Sequence, residues 1–163
     1  MDRTAANGQD LTLHELVDML GLERALEKLS ADFATMRALN GTSVRPLINL
    51  DDVIPTPDLA PNQTFLAALV AVVECAAAQG IAFDLTGSTF ERPAVAPWLH
   101  ALSDAGLDAA RVAFWRAVAL ALRGRGDDQV VVFNLVNEPI VPAADVTDGS
   151  VVTGCIAVRS NFC

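Results

Sequence analysis

The stretch Val130-Val-Val-Phe-Asn-Leu-Val-Asn-Glu-Pro139 decides how this chain folds. From 130 to 136 it is apolar at every position but Asn134. A short apolar run rich in β-branched residues predicts a buried strand. A strand apolar on both faces belongs to a parallel sheet covered by helices, because a sheet with one wet face alternates. The run passes directly into an amide, a carboxyl and a proline at Asn137-Glu138-Pro139. In parallel α/β folds ligands bind beyond the carboxyl ends of the strands, so this is where chemistry is expected.

Upstream, Asp127-Asp128 turns into this strand and Gly124 and Gly126 end the helix before it. That helix is expected over 109–123, capped by Asp108, with Val112, Trp115, Val118 and Leu122 as its apolar stripe. Residues 86–107 form a long loop with a helical turn near Trp98, and 81–85 is a short apolar strand. Asn62 caps a helix over 63–79 that Gly80 closes, and the proline- and aspartate-rich 51–61 is a loop. A further strand spans 43–50, with Pro46 as its weak point because proline cannot donate to a sheet ladder. Leu22, Leu26, Leu29, Phe33, Met36 and Leu39 make the stripe of a helix ending at Asn40-Gly41. Thr12 and Glu15 form a capping box for a helix over 13–20 that stops at Gly21.

The order is helix, strand, helix, strand, helix, strand. A helix in each strand-to-strand step implies parallel strands with right-handed crossovers. The chain reads as one domain over 1–163, with an irregular tail over 143–163.

Composition narrows the function. The 163 residues are too few for a complete (β/α)₈ barrel, which needs roughly 250. A net charge of −9 argues against a nucleic-acid partner, whose phosphates need Lys and Arg. No membrane span is expected: the best apolar candidate, 65–78, carries Glu74 and is shorter than the roughly 18 residues required. The polar residues 1–10 do not read as a secretory signal. Cys75 is expected to be a buried free thiol, while Cys155 and Cys163 are either a bridge or two reduced thiols. His14 and His100 lack metal-ligand spacing, and no nucleotide-binding glycine motif or serine-hydrolase elbow is present. No cofactor is implied.

Three stretches fall at strand ends: Asp51-Asp52, Thr86-Gly87-Ser88 and Asn137-Glu138-Pro139. A carboxyl at the end of a buried strand is partly desolvated, which raises its pKa and suits a general acid. Residues 130–139 resemble the fourth strand of the family 5 glycoside hydrolases, the cellulase family of retaining (β/α)₈-barrel enzymes. Asn40-Gly-Thr-Ser-Val-Arg45 is similar to that family's second strand, and Gly80-Ile-Ala-Phe-Asp-Leu85 to its third. The resemblance covers roughly 22–142 and implies an α/β fold, a partial TIM barrel of about three parallel strands with flanking helices.

It further implies an O-glycosyl hydrolase acting on a β-linked carbohydrate substrate. Glu138 would be the acid/base, protonating the glycosidic oxygen and then activating water. Asn137 would hold the sugar hydroxyl next to the reacting carbon. Arg45 would project into the barrel centre and orient the nucleophile, or else pair with Asp51, Asp52 or Asp84. Trp98 is a candidate sugar platform, or else a packed loop residue.

The departures are specific. No glutamate follows Glu138, so the family's nucleophile has no counterpart here. Thr86 stands where the family often carries a histidine, the chain has no tyrosine, and no first strand is legible. The expectation is a piece of a glycosidase barrel that would self-associate through exposed sheet edges. The alternatives are an inactive sugar-binding fragment, or an unrelated flavodoxin-like α/β domain.

Overall fold

A computed structural model of the chain describes residues 12–88, 96–125 and 130–135. The first helix, α1 (Leu13–Leu20), starts at the expected capping box: Glu15 N–H donates to Thr12 Oγ1 at 3.3 Å and Thr12 N–H to the Glu15 carboxylate at 2.8 Å. Gly21, at φ 77°, ends it and begins α2 (Leu22–Ala38). Helix α2 and the later α4 (Gln63–Ala78) close in the same way. In α2 the N–H groups of Asn40 and Gly41 donate to Arg37 O and Met36 O; in α4 those of Gly80 and Ile81 donate to Ala77 O and Ala76 O. The pivot in each is a left-handed residue, Asn40 at φ 61° and Gly80 at φ 67°, the two residue types that reach this region most readily.

The sheet is parallel throughout. Its central strand is β3 (Ala82–Gly87). On one side lie β1 (Ser43–Val44) and β2 (Leu47–Ile48), and on the other β4 (Val130–Asn134). The pairs Ser43 with Ala82 and Leu47 with Thr86 keep one register, so β1 and β2 are one strand interrupted at Arg45-Pro46. The carbonyls of Thr42, Pro46 and Ile48 accept from the N–H groups of Ala82, Thr86 and Ser88. Continuing that ladder, an N–H at position 46 would meet the Asp84 carbonyl, and proline has none. On the opposite side a bulge falls between Phe83 and Asp84, where the partner slips from Val130 to Val132.

Helices α2, α4 and α5 (Asp104–Leu122) stand side by side, α2 against α4 and α4 against α5. The core lies between them and the sheet. Phe83 and Leu85 from β3, Val73 and Leu69 from α4, and Val118 and Leu122 from α5 are essentially inaccessible. Phe33 of α2 meets Phe83 edge-on at 6.2 Å. Truncating a buried aromatic such as Phe83 removes about 3–5 kcal/mol.

The chain thus has the expected mixed α/β organisation, a small parallel sheet with flanking helices, and differs from the sequence reading in detail. The strand expected over 43–50 stops at Ile48, and Leu50–Val53 forms one helical turn, α3, opening the expected loop. Helix α5 begins at Asp104, not at 109: Ser103 Oγ accepts from Gly106 N–H at 3.3 Å, so the true cap is Ser103 and not Asp108. Asp108 sits inside the helix and pairs with Arg111 at 3.4 Å. Strand β3 runs to Gly87, which puts Thr86 in the sheet and not in the following loop. A 3-10 turn at Pro97–Ala101 supplies the helical turn expected near Trp98. Cys75 is a free thiol but only half-buried, its Sγ 3.9 Å from Leu26 O. The tail over 143–163, with Cys155 and Cys163, lies outside the described residues.

Gly87 leaves no room for a side chain. A Cβ there would lie 2.8 Å from Leu135 O and 3.0 Å from Trp115 Cζ2. The carbonyl belongs to the main chain and cannot swing aside. Gly87→Ala is expected to cost about 1–3 kcal/mol, read as a lowered urea midpoint at unchanged slope.

Candidate functional site

Side chains alternate across a strand, so β3 sorts its residues onto two faces. Phe83 and Leu85 enter the core beneath the helices; Ala82, Asp84 and Thr86 face the other way. Register carries the sorting to the neighbours. Val44, Ile48 and Val130 join the core, and Phe133 meets Trp115 of α5 edge-on at 5.8 Å. The opposite face bears Arg45 and Leu47 on one side of β3 and Val132 and Asn134 on the other. Leu47 and Val132 are 46% and 45% exposed, as apolar residues on a face the helices do not cover would be.

Arg45 stands beside β3 on this face. Its Nε donates to Thr86 Oγ1 at 3.0 Å, and Nε lies 4.0 Å from an Asp84 carboxylate oxygen. The Thr86 hydroxyl in turn donates to Asp84 Oδ1 at 3.2 Å. Thr86 is fully buried, whereas the Arg45 side chain is half exposed. Of the aspartates expected as partners of Arg45, Asp84 lies within ion-pair reach.

The segment after β2 is also polar and buried. Asn49, Asp51 and Asp52 are each less than a tenth exposed, and Asn49 Nδ2 donates to Asp52 Oδ2 at 3.0 Å. The following loop is closed at its base by Asn62 N–H on Val53 O at 2.8 Å. At its tip Leu59 adopts φ 60°, a left-handed conformation that costs about 1–2 kcal/mol for a residue with a Cβ. Packing of Leu59 against the core and its N–H bond to Thr56 O at 3.1 Å offset that strain. Trp98, from the loop after β3, reaches this loop: its indole N–H donates to Pro55 O at 3.1 Å. Trp98 therefore joins the loops following two neighbouring strands and is half-buried, with part of its ring on the core.

Glu138 and Asn137, the expected acid/base and sugar-hydroxyl residues, lie outside the described residues. Arg45 stands in the middle of the sheet, on the face turned from the helices, and Trp98 in the 3-10 turn that follows β3. Sequence reasoning missed Thr86 as the partner of Arg45, and Asn134, which register sets beside Thr86. The signal was present: in Ala82-Phe-Asp-Leu-Thr-Gly87 the polar residues recur every second position, which marks one face of a strand. Among the described residues no helix is long and apolar enough to cross a membrane, and no group of three His, Cys, Asp or Glu could hold a metal ion.

No family model matches the chain, and neither a curated protein nor a solved structure matches it.

Asp58 sets the tip of the loop. Thr56 Oγ1 donates to its carboxylate at 2.5 Å and Ala60 N–H at 3.2 Å, and these bonds hold its pKa below the ordinary 3.8, Thr56 contributing most. A depressed folded pKa means that the stabilisation is present above the unfolded value and is lost as pH falls through the folded one. Thr56→Ala should return the Asp58 titration, followed by carboxyl NMR, toward the ordinary value. It should also flatten the acid limb of the stability profile below about pH 4.

Proposed function

We propose that this chain carries the acid/base half of a retaining β-glycosidase site, on a sheet built as a wedge of a (β/α)₈ barrel. The observation that carries the reading is Arg45. It occupies the face turned away from the helices and reaches toward the carboxyl end of the sheet, as the interior arginine of the resembled family would. Supporting it, among the described residues the strands follow one another in sequential order and α2, α4 and α5 lie side by side over one face. Both are properties of a singly wound barrel wall. A flavodoxin-like sheet has the order 2-1-3-4-5, sequential only over its last three strands.

In this reading Glu138 gives its proton to the glycosidic oxygen as the bond to the anomeric carbon breaks, and later takes one from water. Asn137 holds the neighbouring hydroxyl, and Trp98 offers the exposed part of its ring to a sugar. Retention needs a second carboxylate about 5–5.5 Å from the first. With no glutamate after Glu138, the chain is expected to bind a β-linked oligosaccharide without turning it over at a measurable rate.

Calorimetric titration with cellotetraose and mannotetraose tests this. Binding of one of them with a Kd on the order of 1 mM is expected. Trp98→Ala should weaken it about tenfold, or about 1.4 kcal/mol, and Glu138→Gln should leave it unchanged. No heat of binding from either sugar at about ten times that concentration would remove the reading.

A further inference from the structure

We propose that Thr86 is a positioning residue of the Arg45 guanidinium, with Asp84 as the anchor behind it. This deepens the sugar-site reading and rests on it for the purpose the positioning serves; the positioning itself stands on geometry alone.

Register sets Arg45 opposite Asp84, since Val44 pairs with Phe83 and Leu47 with Thr86. Yet Arg45 Nε donates at 3.0 Å to Thr86, two residues further along β3. Two residues of strand span about 6.6 Å, so the arginine stem lies along the sheet toward its carboxyl end. The 4.0 Å approach to Asp84 involves a half-exposed guanidinium and is a weak ion pair. The 3.0 Å hydrogen bond from a charged donor to a fully buried hydroxyl is the stronger hold.

Thr86 is suited to this by its hydroxyl chemistry. A hydroxyl has one proton to give and lone pairs that accept. Donation to Asp84 Oδ1 fixes the rotor, which turns a lone pair to Arg45 Nε. Asp84 therefore acts on Arg45 mainly through Thr86. Because the guanidinium is planar, fixing Nε fixes the directions of its terminal N–H groups as well. A planar fork of fixed direction recognises a pair of oxygen acceptors, either a carboxylate or neighbouring sugar hydroxyls.

The test is arginine side-chain NMR on the full chain, with the Arg45 Nε–H signal assigned by its loss in Arg45→Lys. The expected signal exchanges slowly with water. Thr86→Val should speed that exchange about tenfold or more, because valine cannot accept, while Thr86→Ser restores it. Asp84→Asn should leave it near the wild-type rate, because the amide oxygen still accepts from Thr86 and only the charge is gone. A Thr86→Val signal as protected as wild type overturns the inference. So does loss of protection in Asp84→Asn alone, which would make the ion pair the hold. If Thr86→Val does not fold, by its backbone amide spectrum, the Asp84→Asn comparison decides by itself. Cellotetraose added to the wild-type sample separates the two readings: a normal protection pattern with no response to sugar supports the positioning and removes the sugar site.

Discussion

Side-chain alternation along Ala82–Gly87 is the constraint on which the rest of the structure depends. β3 is the central strand, so both its edges are committed to ladders and its residues have only two directions to face. One direction must be apolar, because three helices lie over it; Phe83 and Leu85 fill it. The other need not be apolar, and Asp84 and Thr86 occupy it. The separation of core from candidate site is therefore a property of period two in one strand. A slip of a single residue would put a carboxylate under α4 and a phenyl ring on the open face. Register is correspondingly strongly specified.

Helix ends were the most legible part of this fold. Thr12 with Glu15, Asn62, and Gly21, Gly80 and Asn40 are local signals, and the helix ends they mark coincide with those observed to within a residue. Local signals misled where two competed. Asp108 reads as a cap, yet it lies inside α5, whose cap is Ser103, accepting from Gly106 N–H in the first turn. Strand ends were less legible, because a strand stops where its partner stops and that is not written locally. Thr86 extends β3 because Pro46 O is there to accept its N–H.

The candidate site divided in the same way. The placement of Arg45 in a strand and of Trp98 in a helical turn was legible. The partner of Arg45 was not, since Thr86 lies 41 positions away and meets it only once the register is known. Asn49 read as part of a strand and Asp52 as a strand-end carboxylate, and only the structure shows that the two form a buried polar contact. Long-range pairing and burial are the two properties that a linear reading of residues supplies least well.

The two faults in the ladder fall on one rung. Pro46 removes the donor that register aims at Asp84 from one side, and the bulge between Phe83 and Asp84 disturbs pairing from the other. The sheet is therefore mechanically uneven: two well-knit ends joined by a compliant middle. Arg45 and Asp84 are rooted in that middle, while Thr86 belongs to the firm carboxyl end, where its N–H is bonded to Pro46 O at 3.2 Å. The hydrogen bonds among the three side chains thus act as a brace across the soft rung. They lend the open face a stiffness that the backbone alone does not provide there.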